Sequence, residues 1–352
     1  MTGQSRPTQA SLAAEVGVSS QTISNVINNP KLVKPATRKR VEQAIKASGY
    51  RPSIAGRALR TRRSDTIGMR LHPVIDGING EVLDRFFHAV TEYAQQHGYR
   101  ICLYTAADTT TEVAALSDMF HQGVIDGAVL IDSRLNDPRP QVLTEHKLPF
   151  AVFGRPWGDP FAEHGWVDVD GRAGVHRAAS HLKAIGHERI GFIGWPVDSA
   201  VGEDRREGWL SAGGDESLQC LTENTALNGF QAAQELRERG ATAVVCASDS
   251  LAMGALPVFA TDATVGSELP VIGFDNTPVA RTIGLSSVGQ PVEQAATLLV
   301  DQLLHQIRGV ETAVRGVLLT PNLYLRQWEP IVGAYPNRAV PIQEERESDE
   351  NQ

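Results

Sequence analysis

Apolar residues recur at helical spacing in three short segments close to the N-terminus. Each segment has a residue that can cap or begin a helix, and glycines follow two of the segments. The pattern predicts helices over residues 8–17, 20–27 and 35–48. The caps and starts are Thr8, Ser19 and Pro35, and the ending glycines are Gly17 and Gly49. The positions expected on the inner faces are Leu12, Ala13, Val16, Ile23, Val26, Ile27, Val41, Ala44 and Ile45.

After residue 65, short apolar runs rich in β-branched residues alternate with longer amphipathic segments. This alternation predicts parallel sheets joined by helical crossovers. Roughly 270 residues exceed one ordinary domain and can build two lobes. The predicted strands are Thr66–Leu71, Arg100–Tyr104, Gly127–Ile131, Phe150–Phe153, Arg189–Ile193, Thr242–Cys246 and Val271–Phe274. The predicted helices include Val82–Gln96, Arg172–Ile185, Ala226–Arg239 and Val292–Ile307.

The second predicted helix is polar on the side that faces away from its apolar residues. Ser20, Gln21, Ser24 and Asn25 lie there as short groups able to reach base edges. A helix, a tight turn containing Gly and a second helix of this kind form the unit that enters the major groove of DNA. A small three-helix domain without DNA contacts is the alternative interpretation of this segment taken alone.

The charge of the chain is divided unequally between its two parts. The first 63 residues hold 12 Lys and Arg against Glu15 and Glu42, which leaves +10. The other residues hold 21 basic and 39 acidic side chains, which leaves −18. A small basic module on an acidic body indicates that phosphate contacts are confined to the N-terminal end.

Several motifs occur in one order along this end of the chain, and similar matches continue almost to residue 328. They are Val18–Asn28, Thr37–Val41, Gly49–Ser53, Ala58–Arg62 and Thr66–Gly68. With these motifs the chain resembles the family of lactose-repressor-like transcription regulators. The resemblance implies an all-α helix-turn-helix head and an α/β two-lobed body like that of periplasmic binding proteins. In such a body, parallel sheets carry helices on both faces.

The resemblance also implies where the parts of the chain begin and end. The expected parts are a DNA-binding domain over 1–51, a hinge that folds into a helix on DNA over 52–64, and a ligand-binding and dimerisation body over 65–332. The expected lobes are 65–165 with 291–321, and 166–290 with 322–332. The acidic tail over 333–352 is expected to be disordered. Because it contains no leucine heptad, a dimer is expected rather than a coiled-coil tetramer.

The residues expected to contact DNA come from the second helix, the helix caps and the hinge. In the family a hinge leucine wedges between base steps in the minor groove, and the matching residue is Leu59. Asn25 stands where the family usually has Arg, and Asn favours adenine whereas Arg favours guanine. Gly56 stands where the family commonly has Ala and weakens a helix by about 1 kcal/mol. The full set is Thr8, Ser19, Ser20, Gln21, Thr22, Ser24, Asn25, Asn28, Tyr50, Ser53, Gly56, Arg57 and Leu59.

Arg205 and Asp275 are the residues that the resemblance places most directly in a ligand-binding cleft. Arg205 supplies a planar fork of donors suited to paired oxygens. Asp275 follows a strand end, where open α/β sheets bind ligands. Ser248 replaces an Asn of the family, and core packing is the alternative explanation for each Trp. The full set of expected ligand contacts is Asp76, Asn79, Arg155, Trp195, Arg205, Trp209, Ser248, Asp249 and Asp275.

Aromatic residues beside Arg and Asp are typical of a sugar site, so a sugar or an oligosaccharide is the expected effector. The run Gly80–Leu83 departs from the Asn-Pro-Phe-Phe usual in the family. This departure keeps a purine, a nucleoside or a protein corepressor open as the effector. Ligand in the cleft is expected to move the lobes and so change the affinity of a homodimer for a pseudo-palindromic DNA operator.

The body could also belong to an enzyme, and the sequence argues against this class. It contains neither a phosphate-binding loop nor a dinucleotide fingerprint. His176 and His181 stand five residues apart, which does not suit a metal pair on one helix face. No catalytic residue, metal or cofactor is therefore expected.

A solute-binding protein for transport shares the two-lobed body and is the other alternative. It would carry a signal peptide and would lack the basic head. The N-terminus has no apolar run of that kind, and no stretch approaches the roughly 18 apolar residues of a membrane span. The three cysteines are widely spaced. These features predict a cytoplasmic protein without membrane contact.

Overall fold

The computed structural model describes residues 7–51, 63–71, 80–261, 267–310 and 315–327. The described part of the head contains three α-helices, at α1 (Gln9–Val16), α2 (Ser20–Asn28) and α3 (Pro35–Ser48). The Thr8 hydroxyl accepts a hydrogen bond from the Ser11 amide at 3.1 Å, and Gly17 ends α1 with φ 68°. The three predicted helices are therefore confirmed. Their apolar faces meet in a small core that includes Leu12, Ile23, Val26, Val41 and Tyr50.

Within the described ranges, the body is built from two six-stranded sheets with helices between the strands. The first sheet and its helices are β1 (Thr66–Arg70), α4 (Gly80–Gln96), β2 (Arg100–Tyr104), α5 (Thr109–His121), β3 (Gly127–Leu130), α6 (Arg139–Glu145), β4 (Phe150–Phe153), β5 (Gly165–Val169), α12 (Val292–Arg308) and β11 (Gly316–Leu319). The second set is α7 (Gly171–Ala184), β6 (Ile190–Gly194), α8 (Ala200–Ser211), β7 (Gln219–Leu221), α9 (Ala226–Glu238), β8 (Ala243–Cys246), α10 (Asp249–Phe259), β9 (Val271–Phe274), α11 (Pro278–Thr282), β10 (Ser286–Gly289) and β12 (Asn322–Tyr324).

The strand order shows how the chain passes between the two lobes. The first sheet has the order β11-β5-β4-β3-β1-β2 and is parallel throughout. The second has the order β12-β10-β9-β8-β6-β7, in which β12 is antiparallel to β10. The chain therefore crosses between lobes after β5, after β10 and after β11. The carboxyl ends of parallel strands, where such sheets bind ligands, lie next to these crossings.

The first crossing differs from the predicted lobe boundary. The sequence predicted that the second lobe begins at residue 166, but β5 pairs with β4 and β11 and belongs to the first sheet. The second lobe begins with α7, at Gly171. The other two crossings fall where they were predicted, because β10 ends before α12 begins and β12 follows β11.

Each lobe has its own apolar core. In the first lobe, α4 and α12 cover one face of the sheet, and α5 with α6 covers the other. In the second lobe a single cluster joins both faces around residues such as Phe192, Trp209 and Phe274. None of the helices in the described ranges combines the length and the apolar character that a membrane-spanning helix needs.

Candidate functional site

The outer face of α2 carries a hydrogen-bonded pair of amide side chains. Gln21 Nε2 donates to Asn25 Oδ1 at 3.0 Å, and the two residues are one helical turn apart. The bond fixes the orientation of both amides. Ser19 caps the helix by accepting from the Thr22 amide at 3.1 Å. Gln9 Nε2 donates to the Ser20 carbonyl at 2.7 Å and so ties α1 to the start of α2.

The residues predicted to contact DNA differ in how far the head buries them, and some of them lie outside the described residues. Thr8, Ser19, Ser20, Gln21 and Asn28 are exposed, whereas Thr22, Ser24 and Asn25 are half-buried on the same helix. Tyr50 is only 6% exposed, and its ring packs in the head core, so it belongs to the packing of the head rather than to the polar face. The predicted hinge residues Ser53, Gly56, Arg57 and Leu59 lie outside the described residues.

A cavity of about 530 Å³ lies between the two lobes, beside the chain crossings. This size falls within the range of about 300–1,000 Å³ that is usual for small-ligand sites. The first lobe contributes an apolar wall of Leu71, Val82, Leu83, Phe87, Ile131, Phe153 and Trp157, together with Asp84, Asp132, Ser133 and Asp168. The second lobe and the crossing contribute Trp195, Val201, Asp204, Arg205, Asn224, Asp275 and Gln290.

Arg205 lies on α8 and enters the cavity from the second lobe. Its guanidinium stacks 3.7 Å from the ring centroid of Phe274 and 4.7 Å from that of Trp195. One of its terminal nitrogens donates to the carbonyl of Ala247. Burial lowers the pKa of Arg205, while the nearby Asp275 opposes that shift. Stacking between two rings holds the donor fork in a fixed plane.

Asp275 follows β9 and faces the same cavity. Its backbone has φ 112°, and its amide donates to the Val288 carbonyl at 2.7 Å, which fixes this strained conformation to β10. Gln290 Nε2 donates to Asp275 Oδ1 at 2.7 Å. Burial raises the pKa of Asp275 to about 7, although Arg205 lowers it. The carboxyl therefore changes charge close to neutral pH.

Several buried polar atoms around the cavity have no partner among the described residues. They are Ser133 Oγ, Trp157 Nε1, Trp195 Nε1 and Arg205 Nε. A buried donor without a hydrogen bond costs about 1–3 kcal/mol. Such atoms are normally paired with protein, water or ligand. These residues line the cavity, but the four atoms themselves are enclosed by neighbouring protein groups.

Arg155 joins the two lobes instead of forming a cavity wall. Its Nε donates to Asp168 of the first lobe at 2.6 Å, and its terminal nitrogens lie 3.4 Å from Asp204 of the second lobe. The guanidinium also stacks 4.4 Å from the ring centroid of Trp157. Asp168, Asp204 and Trp157 all line the cavity. Arg155 therefore supports three cavity residues from behind and links the lobes beside the first crossing.

A buried ionic cluster fixes the first-lobe rim of the cavity. Glu112 is almost fully buried and pairs with Arg70 at 2.8 Å and with Arg139 at 3.1 Å. Arg139 also donates to the carbonyls of Ile131 and Asp132, at 3.0 and 2.8 Å. These bonds hold the chain at the end of β3, where Ser133 enters the cavity.

Two other predicted ligand contacts point into the protein. Both oxygens of Asp249 are used internally, since they accept from Thr277 at 2.7 and 2.9 Å and from Ser287 at 2.6 Å. Ser248 caps α10 and contacts Asn224 Oδ1 at 2.5 Å. Neither residue lines the cavity. Asn224 does line it, so Ser248 acts on the cavity through that amide.

Trp209 is also a core residue, which corrects the prediction that it lines the cleft. Its indole is fully buried, stacks on Phe192 with a centroid distance of 5.5 Å and donates to the Ile190 carbonyl at 3.1 Å. The predicted first-lobe contacts Asp76 and Asn79 lie outside the described residues. Trp195, Arg205 and Asp275 are the predicted residues that the structure brings together in the cavity.

Replacing Trp209 with Ala is expected to lower the free energy of unfolding by about 3–5 kcal/mol, because it removes a large core side chain and leaves a cavity. Urea denaturation of the variant and of the wild type measures this difference. Replacing the exposed Leu227 with Ala is the control, for which we expect little change. A Trp209→Ala variant as stable as the wild type would contradict the core assignment.

Several residues that line the cavity were not predicted from the sequence. Ser133, Asn224 and Gln290 each follow a strand directly or within three residues, and Asp168 lies within β5. Polar residues immediately after β3 could have indicated Ser133. The strands before Asn224 and Gln290 were not predicted, so their ends gave no such signal.

A helix-turn-helix head in front of a two-lobed body with a ligand-sized cleft defines a DNA-binding regulator with a ligand-binding body. Residues 11–53 match the family model described as bacterial regulatory proteins of the lacI family. Residues 179–327 match the model described as a periplasmic binding protein-like domain.

Individual relatives extend this similarity over nearly the whole chain. The HTH-type transcriptional regulator CelR of Thermobifida fusca is 33% identical over 338 residues, which cover 92% of this chain and 98% of the relative. A solved complex of a transcriptional regulator CelR with cellobiose has a TM-score of 0.66 and 31% identity, over 92% of this chain and all of the other. The chain therefore belongs to the lacI family of DNA-binding transcriptional regulators.

The lac repressor dimer bound to its operator and the anti-inducer ONPF has the same fold. Its TM-score is 0.78 at 22% identity, over 92% of this chain and 99% of the other. The similarity covers head and body together, as predicted from the motifs.

Proposed function

We propose that this regulator is a repressor whose affinity for its operator is controlled by a neutral carbohydrate bound between the lobes. The observation that carries the proposal is a cavity of small-ligand size whose lining places Trp157 and Trp195 beside Arg205 and Asp275. Aromatic rings can cover the apolar face of a sugar while directed polar groups bind its hydroxyls. The similarity to a regulator solved with cellobiose supports the same ligand class.

In this proposal Arg205 and Asp275 have complementary roles. The fork of Arg205 donates to neighbouring oxygens of the sugar. Asp275 in its ionised form accepts from a sugar hydroxyl, and Gln290 keeps the carboxylate in place. Trp195 and Trp157 supply apolar faces on opposite lobes. A ligand that touches both lobes stabilises one of their relative positions more than the others.

In this proposal, a change in the relative position of the lobes connects ligand binding in the cleft to DNA binding by the heads. The hinge over 52–64 joins the head to the first lobe, so a change in lobe position alters how the two heads of a homodimer meet the half-sites of a pseudo-palindromic operator. The coupling is reciprocal, which means that operator and effector change each other's affinity by the same factor. The proposal assigns the chain binding rather than catalysis, and a cytoplasmic site of action.

A thermal-shift panel tests the proposed effector class. The panel contains sugars, sugar phosphates, cello- and malto-oligosaccharides and nucleosides. An effector at 100 times its dissociation constant is expected to add about 2.7 kcal/mol to the stability of the folded protein. The shift is expected to vanish in Asp275→Ala and to persist in Asp118→Ala, whose exposed carboxylate lies on α5 outside the cavity. A shift with nucleosides alone would replace the carbohydrate with a nucleoside effector.

Effector affinity is expected to rise as the pH increases through about 7. Burial raises the pKa of Asp275 to about 7, and Asp249 adds to this while Arg205 and Arg85 oppose it. A sugar hydroxyl donates to the ionised carboxylate, so affinity is expected to fall about tenfold for each pH unit well below that value. Calorimetric titrations between about pH 5.5 and 8.5 measure the profile.

Asp275→Asn provides the comparison, because its amide does not titrate. Its effector affinity is expected to lack this pH dependence.

The stability of the protein without effector is expected to depend on pH in the opposite direction to effector affinity. The reason is that the folded state holds the Asp275 proton more tightly than the unfolded state does. Wild-type stability, relative to Asp275→Asn, is therefore expected to decrease between about pH 4 and 7. Identical pH profiles for the two proteins would exclude Asp275 as the titrating contact.

A further inference from the structure

A second cavity of about 560 Å³ lies on the first lobe, directly beside the cleft. Ser133 and Trp157 line both cavities. These two residues therefore form the boundary between the two spaces. We call the second space the outer cavity; its remaining walls come from the segments that follow β3 and β4 and from α6.

The loop that forms the outer cavity is held in place by its own hydrogen bonds. The amide of Asn136 donates to the Trp157 carbonyl at 2.9 Å, which joins the two sides of the cavity. Gly158 has φ 86°, and a Cβ there would lie 2.5 Å from Asn136 Oδ1. Arg155 supports Trp157 from below by stacking and is itself paired with Asp168. These contacts fix the backbone and the Trp157 ring that form one side of the outer cavity.

The chemistry of the outer cavity suits a neutral ligand rather than an anion. Both of its arginines are already paired, Arg134 with Asp132 at 2.7 Å and Arg155 with Asp168 at 2.6 Å. Asp159, Glu145 and Glu163 add negative charge to the walls. A phosphate group or a nucleotide would be repelled by these carboxylates, and neither arginine is free to pair with it. Binding of either ligand is therefore disfavoured.

Phe161 gives the outer cavity an aromatic surface. Its ring is 87% exposed, which is unusual for so large an apolar side chain, and it lines this space. Amide and hydroxyl groups of Asn136, Gln141 and Thr144 line the same space. An exposed ring beside amide, hydroxyl and carboxylate groups is an arrangement that can bind one face and the hydroxyls of a sugar.

We infer that the effector is an oligosaccharide longer than two sugar units, which extends from the cleft past Ser133 and Trp157 and places its outer units on Phe161. This inference rests on the proposed function, because it concerns the same ligand class. The outer cavity is about as large as the cleft itself, and each alone has the volume of a complete small-ligand site. A continuous chain of sugar units fills both, whereas a monosaccharide or a disaccharide fills only the cleft.

Calorimetric titration of the full-length protein with cellobiose and cellotetraose, and with maltose and maltotetraose, tests the inference. In the series that binds, we expect the tetrasaccharide to bind the wild type about tenfold more tightly than the disaccharide, which corresponds to one aromatic contact. Phe161→Ala is expected to remove this advantage and to leave disaccharide binding unchanged. Phe161→Tyr, which keeps the ring, is expected to restore it, and Leu227→Ala is the exposed apolar control.

The outcomes separate this inference from the proposed function. Disaccharide binding without a length advantage, or an equal loss for both lengths in Phe161→Ala, overturns the outer cavity as a sugar site and leaves the carbohydrate effector standing. Failure of every saccharide to bind, with a nucleoside binding instead, overturns both. A length advantage that is lost in Phe161→Ala and restored in Phe161→Tyr supports the extended effector.

Discussion

Replacing Arg205 with Ala is expected to weaken effector binding at least about 100-fold, so that an effector concentration that just saturates the wild type no longer changes the operator affinity of the variant. The guanidinium supplies charge-assisted hydrogen bonds, each worth about 1.5–3 kcal/mol, and about 1.4 kcal/mol corresponds to a factor of ten. The substitution also removes the cation that opposes the burial of Asp275, whose pKa we expect to rise further. Calorimetry with the effector and operator binding with and without it measure both effects.

Two variants separate this role from a general loss of structure. Arg206→Ala changes the next residue of α8, whose side chain pairs with Glu203 and Gln219 outside the cavity. We expect it to keep effector binding. Arg205→Lys keeps the charge but not the planar fork, and we expect a loss between those of wild type and Arg205→Ala. Unchanged effector affinity in a folded Arg205→Ala protein would contradict the proposed site.

The head was predictable in detail because each of its signals is local. Thr8, Ser19, Gly17 and Gly49 fix helix ends through contacts or backbone conformations within a few residues. The inner faces follow from helical spacing alone. Tyr50 shows the limit of this reasoning, since a motif position does not tell whether a ring packs inward or faces DNA, and here it completes the core.

Most of the strands that were predicted in the body form apolar runs of four or five residues. β5, β7, β10, β11 and β12 were missed. β7 and β12 have three residues each and β10 is rich in Ser and Gly, whereas β5 and β11 are as long as predicted strands and were missed all the same. β10 is a clear case, since both of its serines are buried and Ser287 donates to Asp249 and accepts from the Asn276 amide after β9. Missing β5 as a strand also displaced the predicted lobe boundary.

The candidate site was predictable at Arg205 and Asp275 and less so around them. Arg205 and Trp209 lie four residues apart on the same face of α8. Both therefore fit a cleft assignment, and the sequence does not reveal that Trp209 lies one turn deeper in the core. Asn224 and Gln290 reach the cavity only because non-local strands bring them there. Such contacts depend on the packing of the two lobes, which no short motif encodes.

Replacing Asn25 with Arg is expected to change the base that the protein selects from adenine to guanine. Asn25 lies on the outer face of α2, with its amide oriented by Gln21 Nε2 at 3.0 Å. Asn and Gln pair with N6 and N7 of adenine, whereas Arg pairs with O6 and N7 of guanine, and each pair is worth about 1–3 kcal/mol of discrimination. Selection of operators from a randomised DNA pool measures the preference of each protein.

The control for this substitution must add the same charge without facing the bases. Asn29→Arg does so, because Asn29 is the exposed residue at the C-terminal end of α2. We expect it to raise affinity for all sequences at low salt, through an added phosphate contact, and to leave the selected base unchanged. An Asn25→Arg protein that selects the same operator as the wild type would show that this position does not read a base. A change of base confined to Asn25→Arg would instead separate base reading from charge, because both variants carry one additional positive charge on the same helix.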